Sequence, residues 1–287
     1  MNKYLDEAFA CMHALEKLAA DGHKLICDPL AESKLEDFQK KTLWAMSFKA
    51  YRSTYSIRTL LTEAAVFDAD IMLRIVIEAT INIVYLTHNR DDFDRLFDEY
   101  AIFLPSIESK RWINHLNTAI ENSPDIDHTS VLYMRSSLDR ENARPWPAMD
   151  KAQIHKLRNS WNVITMIDLL SKSGIFAKHI VGLKMTYMRS SFLVHSNYRG
   201  VSASAFRTSL PPEERSARNI VHMLRILSNA ASCVALRLKG YTEFLGMDAE
   251  SNIDILKGVD ECISLSDYVT EEYGIADPPK EFQSTTM

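Results

Sequence analysis

The sequence predicts an all-α protein, an antiparallel multi-helix bundle of about eight to ten helices. Glycine is scarce, with only 8 in 287 residues, and no segment shows the sustained two-residue alternation that is typical of strands. Apolar residues recur instead at helical spacing, and their share of 46% is typical of soluble globular proteins. A chain of this length can bury a substantial core without disulfides or a structural metal.

The first half of the chain contains clear start and stop signals for helices. Asp21 and Gly22 predict the end of the first helix. Asp68 or Asp70 is the expected N-cap of a later, very apolar helix, and Pro105 is an expected break. The predicted segments are Lys3 to Ala20, Ala31 to Val66 with an internal break, a helix reaching about Thr87, and Asp91 to Ile120.

The second half is predicted to begin with a long connection. Residues 122–150 hold three prolines among many Ser, Asp and Asn residues, so we expect a loop insertion with one helical turn near Ser130 to Leu138. A Ser/Ala-rich loop is expected before Pro211. The remaining predicted helices are Ala152 to Ser173, Ile175 to Tyr198, Pro212 to Lys239 and Ala249 to Tyr273. This pattern predicts one helical domain over residues 1–275 and a flexible tail over 276–287.

Composition excludes several functional classes. The net charge of −5 does not indicate a polyanion-binding protein, although a local basic groove remains compatible with it. The four cysteines show no C-x-x-C spacing and the histidines show no ligand spacing, so we expect no metal and no cofactor. The N-terminus lacks a signal-peptide pattern, and polar residues interrupt the most apolar helix. We therefore expect a cytoplasmic protein without membrane association.

The candidate site lies between Arg189 and Arg199, where a cation, an imidazole and several hydroxyl groups crowd together. An imidazole can take a proton from a ribose 2′-hydroxyl, and a guanidinium can hold the phosphate. On an ideal helix, six residues turn through about 600°, which leaves Arg189 and His195 about 120° apart. A helix break, a long Arg side chain or a dimer interface would have to bring them together. The residues predicted to share the face of His195 are Ser191, Tyr198 and Arg199, and Asn197 is a further supporting candidate.

A second feature is the pair Arg74 and Glu78, one turn apart in the most apolar helix. Such a pair could be an ordinary exposed helix pair. Its apolar neighbours instead favour a partnered pair or one that faces a cleft.

The spacing of Arg189 and His195 resembles the motif of HEPN domains, an arginine followed after four to six residues by a histidine. HEPN domains are α-helical bundles that often dimerise, and active members are metal-independent ribonucleases of toxin–antitoxin and anti-phage systems. The chain is also similar to uncharacterised bacterial helical proteins that combine an Arg-x-x-x-Glu helix, here Arg74 to Glu78, with a later Tyr/Ser-rich helix ending in His, here Tyr187 to His195.

The resemblance implies a homodimer that cuts or binds RNA as part of a defence system. It also implies a protein partner that regulates this activity. His195 would be the general acid or base, and Arg189 would bind the phosphate. Glu78 and Arg74 would support these two residues without contacting the phosphate. The alternative is a catalytically silent helical module that binds a nucleotide, RNA or a protein partner. His195 could equally be an ordinary surface histidine near a helix end.

Overall fold

A computed structural model describes residues 2–123, 127–172, 177–195 and 198–273. These residues contain no β-strand, so the predicted all-α class is confirmed. They form twelve α-helices, more than the eight to ten expected: α1 Asn2–Glu32, α2 Asp37–Thr62, α3 Val66–Thr87, α4 Phe93–Asp98, α5 Leu104–Glu121, α6 Thr129–Asn142, α7 Lys151–Ser160, α8 Val163–Leu170, α9 Ala177–Val194, α10 Tyr198–Ser209, α11 Pro212–Leu245 and α12 Ile253–Tyr273. The predicted tail over 276–287 lies outside the described residues.

The chain divides into two compact units. Residues 1–88 and 166–287 contribute to the first unit, and residues 89–165 form the second. The single domain expected over residues 1–275 stays a prediction.

Helices α3 and α11 form the centre of the first unit. They pack against each other, α2 and α9 lie against α3, and α1 and α12 lie against α11. The C-terminal half of α3 is buried on nearly every side, which explains why its apolar residues are spread around the helix rather than confined to one stripe. The predicted cap at Asp68 or Asp70 is wrong, because the helix already begins at Val66 and Asp70 is fully buried.

The first helix is longer than predicted, since α1 continues through Gly22 and Pro29 to Glu32. A Cβ built at Gly22 would lie 3.4 Å from Leu238 of α11, so this glycine faces a packed neighbour instead of ending the helix. A glycine inside a helix is less stable than an alanine by about 1 kcal/mol. The contacts of α1 with α2, α11 and α12 offset this cost.

Two segments that were predicted as loops are helical. The Ser/Ala-rich stretch before Pro211 is α10, which packs against α9. The expected connection over 122–150 contains α6, a helix of 14 residues rather than one turn. Ser and Asn have weak helix propensity, and burial of residues such as Val131 outweighs it.

Helix α11 is one of the two central helices of the first unit and is mostly buried from Ile220 onward. It ends at Gly246, which adopts a left-handed conformation with φ 68°. Among the described helices it alone is long and apolar enough to cross a membrane, and 61% of its most apolar window is buried inside the protein. Core helices of soluble proteins meet the same criterion.

The second unit contains α4 to α7, with a π-helical segment over Glu99–Phe103 between α4 and α5. Pro105 lies in the first turn of α5, so the predicted break is a helix boundary. The indole of Trp161 donates a hydrogen bond of 2.8 Å to Glu99, and that of Trp146 donates one of 2.9 Å to Ser109. These bonds tie the polar segments of this unit together.

Candidate functional site

Helix α9 carries both residues of the predicted Arg–His motif. It runs without a break through Arg189 to Val194, and the backbone N–H of His195 bonds the carbonyl of Ser191 at 3.2 Å. The side chains of Arg189 and His195 are both exposed. Because the helix is continuous, these two side chains leave it in different directions.

The prediction that Tyr198 and Arg199 extend the helical face of His195 is wrong. Helix α9 ends at Val194, and Tyr198 and Arg199 begin α10, which folds back against α9. Gly200 makes this reversal possible, because a Cβ at this position would lie only 2.4 Å from the carbonyl oxygen of Phe192. Tyr198 is 84% exposed. Asn197 lies outside the described residues.

Arg74 connects α3 to α9. Its Nη2 donates to the hydroxyl of Tyr187 at 2.9 Å, and its Nε donates to Oγ of Ser191 at 3.1 Å. Its Nη1 pairs with Glu78 at 3.3 Å, and its guanidinium lies 4.7 Å from the centre of the Tyr187 ring. The structure thus brings Arg74, Glu78 and Ser191 together, and the pair on α3 is partnered rather than solitary. The bonds from Arg74 to Tyr187 and Ser191 fix the position of α9, the helix that carries Arg189.

Asp70 is the centre of a buried polar cluster one turn before Arg74. Its Oδ1 accepts a short hydrogen bond from the hydroxyl of Ser190 on α9. Its Oδ2 accepts from Nε2 of His222 at 2.8 Å and from Nη2 of Arg225 at 2.6 Å, both on α11. Three side chains from two other helices therefore bond this one carboxylate.

The charge of this cluster follows from its surroundings. Burial raises the pKa of Asp70, but the hydrogen bond from His222, the charge of Arg225 and the bond from Ser190 outweigh it, so the pKa lies well below its usual range. Burial lowers the pKa of His222 to about 4, with the nearby charges of Arg225 and Arg189 also lowering it and Asp70 opposing them. At neutral pH the cluster is therefore an Asp–Arg ion pair with a neutral histidine that donates from Nε2.

Further guanidinium groups lie near the polar cluster around Asp70. Arg207 on α10 donates to Asn219 at 2.8 Å and lies 5.6 Å from the ring centre of Phe67. Its pKa is lowered by burial and then by the charges of Arg218 and Arg225. We call Arg207, Arg218 and Arg225 the arginine cluster.

The arginine cluster carries surplus positive charge. Arg218 is paired with Glu214 at 2.9 Å and Arg225 with Asp70 at 2.6 Å. Arg207 has no carboxylate partner among the residues that the structure describes. Arg189 adds another positive charge close enough to lower the pKa of His222. Half-buried guanidinium groups in excess of carboxylates are suited to bind phosphate oxygens.

Sequence reasoning identified Arg74, Glu78, Ser191, Arg189 and His195 but missed the cluster around Asp70. A signal existed, because an aspartate inside the most apolar helix needs partners and a His-x-x-Arg pair lies on one face of a later helix. Asp70 is about 150 residues away in the chain from His222 and Arg225, so the sequence alone did not show that they are in contact. No group of three or more His, Cys, Asp or Glu side chains that could hold a metal occurs within the described parts of the chain.

Comparison with known proteins places the chain in one family. The model of DUF5677, a family of unknown function, matches residues 43–209. This match covers more than half of the chain and extends from α2 through α10, so the protein belongs to DUF5677. Searches of the curated proteins and of the solved structures gave no match.

Proposed function

We propose that this member of DUF5677 is a HEPN-like endoribonuclease that binds RNA and cleaves it without a metal ion. The observation that carries the proposal is the position of Arg189, the expected phosphate ligand, beside the surplus positive charge of the arginine cluster. A polyanion would be attracted to this surface although the whole chain carries a net charge of −5.

In the proposed reaction, the imidazole of His195 accepts the proton of a ribose 2′-hydroxyl. The 2′-oxygen forms a bond to phosphorus, and the bond from phosphorus to the 5′-oxygen breaks. Arg189 binds the non-bridging oxygens and stabilises the negative charge that develops on them. The departing 5′-oxygen takes a proton from water, and the protonated His195 gives its proton to the hydroxide that forms. The products are a 2′,3′-cyclic phosphate and a 5′-hydroxyl, with the imidazole neutral again.

The continuity of α9 limits how Arg189 and His195 could act on the same phosphodiester. Because α9 is unbroken from Arg189 to Val194, one phosphodiester is reached most simply when Arg189 and His195 come from two copies of the chain. We therefore propose a homodimer with shared sites. The cytoplasmic location, the anti-phage or toxin–antitoxin role and the regulatory protein partner belong to the same proposal.

The first experiment is cleavage of total RNA in EDTA. The wild type is expected to produce 2′,3′-cyclic phosphate ends, and His195→Ala and Arg189→Ala are each expected to lose at least about a hundredfold in rate. His13→Ala and Arg135→Ala, which change exposed residues elsewhere, serve as matched controls. Cleavage that survives both site substitutions, or that EDTA abolishes, would overturn the proposal. Binding without cleavage would support the catalytically silent module.

The second experiment mixes the two inactive variants. In a shared site, a heterodimer of Arg189→Ala and His195→Ala retains one intact Arg–His pair, so random mixing should restore about a quarter of wild-type activity. If each site lies within one protomer, every site in the mixture is defective and no activity returns. Absence of rescue would contradict the shared site while leaving the cleavage result intact.

A further inference from the structure

A small cavity lies among α1, α2 and α11, away from the residues of the proposed RNA site. Its volume is about 10 Å³, and the polar side chains that line it include His23, Ser47, Tyr51 and Arg237. This space corresponds to one water molecule or one small ion. The cavity belongs to no function proposed above.

Arg237 is the unusual member of this lining. It is only 7% exposed, and its one hydrogen bond to described residues runs from Nη1 to Thr80 at 2.7 Å. No carboxylate in the described parts of the chain pairs with it. Burial lowers the pKa of Arg237, yet an arginine side chain stays protonated in proteins. A buried positive charge thus lacks a compensating negative charge.

The other lining groups are neutral and include hydrogen-bond donors. Nδ1 of His23 lies 3.0 Å from the hydroxyl of Ser47. The pKa of His23 is lowered by burial and then by the charge of Arg237, so this ring adds no second charge at neutral pH. The ring of Tyr51 lies parallel to His23 with centres 5.8 Å apart. No acidic residue lines the cavity.

We propose that this cavity binds one chloride ion, held by the guanidinium of Arg237 with polar groups of Ser47 and Tyr51 around it. Charge decides between the two occupants of suitable size, because a water molecule cannot neutralise a buried cation whereas a monatomic anion can. A volume of about 10 Å³ favours a monatomic anion over larger anions such as phosphate. The site is a structural anion site that joins α1, α2 and α11, and it does not depend on the proposed RNA function.

Bromide provides the direct test, because it replaces chloride and scatters anomalously. Crystals of the full chain are grown in sodium bromide without chloride. The expected result is an anomalous peak in the cavity within hydrogen-bond distance of a nitrogen atom of Arg237. Surface bromide peaks without a peak in the cavity, or ordinary water density there, would overturn the site.

A solution measurement complements the crystals. At equal ionic strength, replacing gluconate by chloride at ten times its dissociation constant should raise the Tm of the wild type by about 3 °C. Arg237→Met removes the charge and should remove this chloride-specific rise. Arg52→Met, at an exposed arginine of α2, should keep it. Ser47→Ala should reduce the rise without altering the cation, and provides the second variant if Arg237→Met does not fold. An equal rise in wild type and these cavity variants would contradict the proposal.

Discussion

Asp70 holds together the three helices that carry the candidate site. Ser190, His222 and Arg225 all bond its carboxylate, and neither Asp70 nor Ser190 has any exposed surface. Ser190 is adjacent to Arg189, so the cluster fixes the direction in which that arginine leaves α9. The carboxylate thereby links the stability of the first unit to the geometry of its candidate site.

The buried His222 predicts how stability depends on pH. Its pKa is about 4 in the folded protein against 6.5 for an ordinary histidine, so between these values the unfolded chain binds a proton that the folded chain does not. The free energy of unfolding should therefore be highest above pH 6.5 and fall by up to about 3 kcal/mol as the pH drops to 4. Urea unfolding across this window measures the loss.

Matched variants separate His222 from the other histidines. His222→Gln removes the larger titration and should make the dependence between pH 6.5 and 4 clearly shallower, leaving the part that comes from His23, whose pKa is also lowered. The exposed His13→Gln should leave the wild-type profile unchanged. Asp70, whose pKa is also lowered, loses its contribution only at still lower pH. An unchanged profile for His222→Gln would show that His222 is not the residue responsible.

At the scale of elements, the reversal from α9 to α10 determines where the motif ends. The sequence predicted one helix from Ile175 to Tyr198, whereas α9 ends at Val194 and Tyr198 begins α10. Gly200 lies inside α10 and allows that helix to approach the backbone of α9. Local pattern could not reveal this, because the requirement for glycine arises from a contact with Phe192 in another helix. The Arg74–Glu78 pair shows the opposite case, since its apolar surroundings indicated a partner, later found in Tyr187 and Ser191.

Two glycines of these helices make a matched pair for mutation. A Cβ at Gly200 would lie 2.4 Å from a carbonyl oxygen, so Gly200→Ala should destabilise the protein by about 1–3 kcal/mol. No atom lies within 4 Å of a Cβ at Gly182 on α9, so Gly182→Ala should stabilise by about 0.5–1 kcal/mol. Thermal unfolding of both variants measures the difference. Equal effects would contradict the close packing of α10 on α9.

At the scale of the whole molecule, the all-α class followed from scarce glycine and helical periodicity. Composition alone, with a net charge of −5, gave no sign of the arginine cluster. Arg218 and Arg225 lie seven residues apart, hence on one face of α11, but only the packing of α10 places Arg207 beside them. Tertiary contacts between distant segments therefore account for what the sequence could not predict.

The measurement that tests the central claim most directly is the salt dependence of RNA binding. Fluorescence anisotropy with single-stranded RNA should show weaker binding by the double variant Arg207→Ala/Arg218→Ala, with circular dichroism confirming that it folds. Its plot of log affinity against log salt should be shallower than that of wild type by about 1.4, or 0.7 for each lost phosphate contact. The double variant Arg111→Ala/Arg135→Ala, at exposed positions of the second unit, should match wild type. Equal affinity and slope for wild type and the Arg207→Ala/Arg218→Ala variant would contradict an RNA-binding arginine cluster.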